Sequence, residues 1–104
     1  MASEVPTDPA ALRAAVLAGA EALVSRAPGR AVEVRVPGPI GTAFQCVAGP
    51  PHKRGTPGSV VETDPVTFVE LVTGRVTWAE ARATGRLHAS GEHADLSPYL
   101  PILA

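Results

Sequence analysis

The sequence predicts a single α+β domain, and three stretches of the chain carry this prediction. The first is an apolar helical stripe behind a helix start at Thr7 to Pro9, and the second is an alternation of valines from Val32 to Val36. The third runs from Thr63 to Gly91, where two capped helices and a strand follow one another with almost no spacer. Segregated helices and strands in this order are typical of an α+β chain.

The first helix is predicted from its start signal, its stripe and its stop. Apolar side chains recur on one face from the start to about Arg26: Leu12, Val16, Ala20, Leu23 and Val24. Pro28 and Gly29 then end the helix, because proline excludes the helical conformation from the residue before it.

Three strands are predicted before the capped helices. Val32, Val34 and Val36 alternate with polar residues, which indicates a half-buried strand. A second strand from Phe44 to Val47 places Phe44 and Cys46 on one face, and the turn residues between the two strands predict a hairpin. A third short strand runs from Ser59 to Thr63, after a Pro- and Gly-rich stretch from Gly49 to Gly58 that predicts a surface loop.

The next helix is predicted from Asp64, a good N-cap residue, and Pro65 at the first helical position. Its apolar side chains share one broad arc: Phe68, Val69, Leu71 and Val72. Gly74 supplies the residue without a Cβ that a left-handed C-terminal position favours. We therefore expect an amphipathic helix of about nine residues that packs by one face.

A further helix follows at once, since Thr77 and Glu80 stand at capping-box spacing around Trp78. Gly85 ends it, and Leu87 to Ser90 alternate as a strand. We expect Glu92 to Leu96 to start a last helix before an apolar tail that must bury itself: Tyr99, Leu100, Ile102 and Leu103.

Length and charge restrict the function classes. The 104 residues make one domain, residues 1–104, with a flexible N-terminus at residues 1–7. A formal charge of −1 argues against a nucleic-acid partner. The single cysteine cannot close an internal disulfide, no leader pattern opens the sequence, and no apolar run reaches about 18 residues. We expect a cytoplasmic protein without stable membrane insertion.

One part of the chain resembles a known family. The pattern of Asp64, Phe68, Leu71 and Gly74, followed by Trp78, Gly85, Leu87 and Gly91, resembles the C-terminal half of sterol carrier protein 2 domains. More narrowly, VVETDP, TGRVTWAEA and GRLHASGEHADLSPYLP resemble the short bacterial, chiefly actinobacterial, orthologues of that domain. The specific part covers about residues 60–103, and residues 8–48 agree only in the order of their elements.

The resemblance implies a mainly antiparallel sheet of four to five strands, covered by helices that enclose an apolar tunnel. It implies a non-enzymatic carrier, without a cofactor, that holds a sterol, a fatty acyl chain or a similar lipid. The family has no fixed ligand-binding motif, so we chose candidate residues for the cavity by their inward phase: Phe44, Phe68, Val72, Trp78, Leu87, Leu100 and Leu103.

Each residue of chemical interest also has a plainer interpretation. Phe68 and Trp78 are equally suited to ordinary core packing, and Cys46 to an inert buried thiol. The three histidines, His52, His88 and His93, lack metal-ligand spacing and are predicted to be surface residues. The basic run from His52 to Arg54 is either a solvated loop tip or a contact for a phosphate or an anionic headgroup.

Two functional classes remain open at this point. One is a lipid-binding or lipid-transfer module. The other is a protein-interaction or accessory domain that kept the fold without a usable cavity, as a homodimer or as the partner of an enzyme. We find no nucleophile elbow, no phosphate-binding glycine loop and no catalytic constellation, so we do not expect an enzyme.

Overall fold

The computed structural model describes residues 5–49 and 58–103 and contains one sheet with helices on one side of it. The elements in chain order are α1 (Pro9–Arg26), β1 (Val32–Val36), β2 (Thr42–Cys46), β3 (Ser59–Thr63), α2 (Pro65–Thr73), α3 (Trp78–Ala83), β4 (Leu87–Ser90) and a 3₁₀ turn (Ser97–Tyr99). The predicted flexibility of residues 1–4, most of the predicted 49–58 loop and the basic run from His52 to Arg54 lie outside the described residues.

The predicted caps are confirmed. Asp8 and Asp64 each accept a hydrogen bond from a backbone N–H in the first turn of α1 and α2, and Thr77 and Glu80 form the reciprocal capping box of α3. Gly74 has a left-handed backbone with φ of 82°, which is why α2 ends there. Local sequence rules therefore fix where α1, α2 and α3 begin and where α2 ends.

Within residues 5–49 and 58–103 the sheet has four strands in the order β2-β1-β3-β4, and it is mixed. The β1–β2 hairpin and the β3–β4 pair are antiparallel, as expected, but the central β1–β3 pair is parallel, with Val32 opposite Ser59. Because β2 returns the chain to the end where β1 began, β3 starts at that end and runs in the direction of β1. Two of the three strand pairs thus agree with the expected mainly antiparallel sheet, the central pair does not, and no fifth strand is present among the described residues.

The core lies between this sheet and the helices. Alternate strand residues face inward and are buried, as are the facing residues of the helices: Leu12, Val16, Leu23, Val32, Val34, Val36, Val61, Phe68, Val72 and Leu87. The other face of the sheet carries Glu33, Arg35, Glu62 and His88. One face of the sheet is therefore packed and the other is polar.

The expected helix from Glu92 to Leu96 is absent. Residues 92–93 form a turn, and Ala94 and Leu96 are buried without regular structure before the 3₁₀ turn. Asp95 accepts a hydrogen bond from the backbone N–H of Ser97 at 3.0 Å, and Pro98 follows. A helix would have only five residues here, and the side chain of Asp95 already satisfies a backbone donor that a helix would need.

Val47, directly after β2, has a positive φ of 71°, which is rare for a β-branched residue. Its N–H donates to the carbonyl of Ala27 at 2.6 Å, and its carbonyl accepts from the N–H of Ala31 at 3.0 Å. The segment that follows α1 therefore holds Val47 from both sides in this conformation.

Replacing Val47 by Ala or Gly tests this constraint. Both variants lose the buried side chain, but only V47G escapes the left-handed penalty of about 1 to 2 kcal/mol. We expect V47G to unfold at higher urea concentration than V47A, by about 1 kcal/mol in free energy of unfolding. If V47G is instead less stable than V47A by about 0.5 to 1 kcal/mol, as glycine usually is relative to alanine, the left-handed backbone at Val47 is contradicted.

Asp64 gives a pH-dependent prediction. Burial raises the pKa of Asp64, but hydrogen bonds from the Thr67 hydroxyl and N–H outweigh it and lower the pKa below its ordinary value of 3.8. A depressed native pKa means that the carboxylate stabilises the fold above the unfolded pKa and loses this effect as pH falls through the native value. D64A should lower the free energy of unfolding at pH 7 by about 1 kcal/mol.

D64N is the matched control, because its amide oxygen still accepts a hydrogen bond but does not titrate. The stability difference between wild type and D64N, measured by chemical denaturation, should be constant near neutral pH and shrink below pH 3.8. A difference that stays constant down to pH 2 would show that the carboxylate charge does not contribute.

Candidate functional site

A cavity of about 300 Å³ lies between the α2–α3 connection and the C-terminal segment. Leu71 and Trp78 are buried at its base, Val76 and Leu100 are half-buried, and the other lining residues are exposed. The described lining contains no charged side chain: Leu71, Gly74, Val76, Thr77, Trp78, Ala79, Ser97, Leu100 and Pro101. A concave site of this size and character suits an apolar ligand.

The capping box of α3 positions Trp78. Glu80 accepts hydrogen bonds from the N–H and the hydroxyl of Thr77, at 3.1 and 3.0 Å, and its own N–H donates to the Thr77 hydroxyl at 3.1 Å. The two hydrogen bonds that the Glu80 carboxylate accepts lower its pKa, and the bond from the Thr77 backbone has the larger effect. Trp78 is the first residue after this cap, so a local sequence rule fixes the backbone position from which its buried side chain lines the cavity.

The C-terminal segment forms the opposite wall and is held by the end of α2. The N–H groups of Ile102 and Leu103 both donate to the carbonyl of Val72, at 2.9 and 2.8 Å. Val72 lies in the last turn of α2, where helix carbonyls have no partner within the helix. The C-terminal segment thus satisfies an orphan carbonyl and places Leu100 and Pro101 over the cavity.

The structure brings together two of the seven predicted cavity residues, Trp78 and Leu100. Phe68, Val72 and Leu87 are at most 3% exposed and lie in the core between sheet and helices, where they do not line this cavity. The burial of Phe68 agrees with its plainer interpretation, ordinary core packing, and Val72 and Leu87 are buried in the same core.

The other two predicted cavity residues also lie elsewhere. The ring of Phe44 makes an edge contact with that of Phe68, with centroids 5.9 Å apart, and lines a separate open groove of about 440 Å³ beside α1. Leu103 is 45% exposed. The inward phase of a strand or helix thus does not identify residues around this cavity.

Sequence reasoning missed four apolar residues of the cavity: Leu71, Val76, Ala79 and Pro101. Leu71 was on the predicted apolar arc of α2 but was assigned to packing. The sequence patterns assign no role to Val76, although a lone valine between a C-terminal glycine and a capping box is a signal that the connection itself packs against something. Pro101 is placed by the fold of the C-terminal segment, which no local pattern indicates.

The cysteine and the described histidines do not form a catalytic or metal-binding site. Burial raises the pKa of the Cys46 thiol to about 11, so the thiol is neutral at physiological pH, as expected for an inert cysteine. His88 is exposed and His93 is half-buried. The described residues contain no cluster of three His, Cys, Asp or Glu side chains that could hold a metal ion.

A shallow depression of about 270 Å³ lies on the polar face of the sheet, between Arg35, Glu62 and His88. Arg35 pairs with Glu33 at 2.6 Å, and the hydrogen bond and charge of Glu33 raise the pKa of Arg35. Because this guanidinium is already paired with a carboxylate in water-exposed surroundings, the depression offers no free charge for an anion. In the described parts of the chain, no helix is long and apolar enough to cross a membrane.

Comparison with known proteins gives one clear relationship. No curated protein matches the chain. The sequence profile of the family described as "Bacterial SCP ortholog" matches residues 8–102. This match runs from the N-cap of α1 into the C-terminal segment. It includes residues 8–48, where the resemblance seen in the sequence covers only the order of the elements. The chain therefore belongs to the bacterial orthologues of the sterol carrier protein family.

Proposed function

We propose that this protein is a non-enzymatic lipid carrier that binds one fatty acyl chain in the cavity between the α2–α3 connection and the C-terminal segment. The observation that supports it is the uncharged lining of that cavity, with Leu71 and Trp78 at the base and Leu100 on the wall. Membership of the sterol carrier family agrees with a lipid ligand. The exposed hydroxyl groups of Thr77 and Ser97 lie at the rim, where a polar headgroup can remain in water.

The cavity volume favours one acyl chain over a sterol. A methylene group occupies about the same space as a water molecule, about 30 Å³, so a cavity of about 300 Å³ holds about ten methylene groups. A four-ring sterol with its side chain is too large and would leave much of its apolar surface in water. An acyl chain can instead bury one end and keep its carboxylate outside.

The affinity should therefore depend on acyl chain length. Each buried methylene contributes about 0.8 kcal/mol, or about a fourfold gain in affinity. We expect saturated fatty acids to bind about fourfold more tightly per added methylene until about ten are buried, and then to reach a plateau. Energy transfer from Trp78, the only tryptophan, to a fluorescent fatty acid gives the signal, and saturated acids displace the probe.

A variant that fills the cavity tests its location. Ala79 is exposed on the rim, so A79F should place a ring in the opening and weaken fatty acid binding at least about tenfold. Ala83 lies on the same helix, is also exposed and does not line the cavity, so A83F is the matched control. Both variants should change the free energy of unfolding by no more than about 0.5 kcal/mol.

Two results would contradict the proposal. Equal loss of affinity in A79F and A83F would place the ligand elsewhere. If fatty acids of every chain length fail to bind saturably to the delipidated wild type, the carrier function is wrong. The accessory-domain alternative is then favoured, in which the same residues only pack the C-terminal segment onto α2 and α3.

A further inference from the structure

Helix α1 is apolar on both of its sides. Its inner side is buried in the core through Leu12, Val16 and Leu23. On its outer side Leu17 and Val24 are 39% and 36% exposed, the only large apolar residues of α1 exposed to this degree. Exposed apolar residues that line up on one side of a helix form a surface that a partner can cover.

The exposed apolar residues form a straight stripe. Ala10, Leu17 and Val24 are spaced by seven residues, which is two helical turns or about 10.5 Å, so they lie almost in line along the axis. Small exposed alanines, among them Ala14 and Ala18, flank this line. We call the surface of Ala10, Arg13, Ala14, Leu17, Glu21 and Val24 the outer face of α1.

The charges along this face are arranged symmetrically about Leu17. Arg13 is four residues before it and Glu21 four residues after it. If a second copy of α1 lies antiparallel across a two-fold axis at Leu17, Arg13 comes to the same height as Glu21 of the second copy, and the pair occurs twice. Ala10 then faces Val24 of the second copy, so small residues oppose large ones.

The Glu21 carboxylate and the Arg13 guanidinium can both form this ion pair. Glu21 makes no hydrogen bond or ion pair with the residues that the structure describes. Arg13 donates one N–H to the carbonyl of Pro39 at 3.3 Å and is exposed. A guanidinium has five N–H donors, so several remain available.

We propose that the outer face of α1 is the interface of a homodimer in which two copies of α1 pack antiparallel across a two-fold axis at Leu17. The interface is isologous, so each copy supplies the same residues and the assembly closes as a dimer. The open groove beside α1 shares Glu21 and Val24 with this face and extends it as far as Phe44. None of these residues lines the proposed acyl cavity, so the dimer is independent of the carrier function.

Cysteine crosslinking tests the two-fold position. Because Leu17 faces itself across the axis, L17C should form a disulfide-linked dimer under mild oxidation, and Cys46 should not interfere because it is fully buried. Ala11 is exposed on the same helix but lies about 120° around the axis from Leu17, so A11C is the control and should stay monomeric on a non-reducing gel. Equal crosslinking of the two variants would overturn the proposed geometry.

Charge reversal tests the pairing without disturbing the core. R13E and E21R each turn two attractive pairs into two repulsive ones, so each should weaken self-association at least about tenfold in sedimentation equilibrium. An equimolar mixture of R13E and E21R should restore dimers, because the heterodimer has two attractive pairs again. Circular dichroism and fatty acid affinity should not change in either variant.

Three outcomes would overturn the proposal. One is a wild type that remains monomeric up to about 1 mM, which would assign the outer face to a different occupant. The second is a dimer that neither charge reversal weakens. The third is a mixture of R13E and E21R that associates no better than either variant alone.

Discussion

The close contact between α1 and α2 at Gly19 is the constraint on which the rest of the structure depends. A Cβ at Gly19 would lie 3.0 Å from side-chain atoms of both Phe68 and Val72, which is tighter than ordinary van der Waals contact. A glycine inside a helix costs about 0.5 to 1 kcal/mol relative to alanine, so this close packing outweighs a local loss. Helix α2 has nine residues and could not persist alone in water, so it depends on tertiary packing, to which this contact with α1 contributes.

The position of α2 in turn determines the candidate site. The carbonyl of Val72 accepts both N–H groups of the C-terminal segment, and the side chain of the same residue packs against Gly19. The cavity wall formed by Leu100 therefore depends, through one residue of α2, on a helix that does not line the cavity. Packing energy in the core and the shape of the cavity are connected through the backbone of Val72.

The sequence predicted what local rules decide and missed what long-range packing decides. Asp64, Gly74 and the capping box at Thr77 set the ends of α2 and α3 as expected, because each acts through backbone groups a few residues away. The parallel β1–β3 pair depends on where the chain leaves β2, and no local pattern carries that information. For the same reason Leu87 has the predicted inward phase but not the predicted place at the cavity.

The location of the cavity at the edge of the fold follows from the size of the chain. A void of about 300 Å³ in the centre of the core would lower the free energy of unfolding by about 7 kcal/mol, at about 24 cal/mol per Å³. That is comparable to the whole stability of a small domain, about 5 to 15 kcal/mol. Filling the centre with Phe68, Val72 and Leu87 retains this stability. A cavity bounded by the C-terminal segment is lined mostly by residues that are already partly exposed, with only Leu71 and Trp78 buried, so a short chain can combine a packed core with a proposed ligand site.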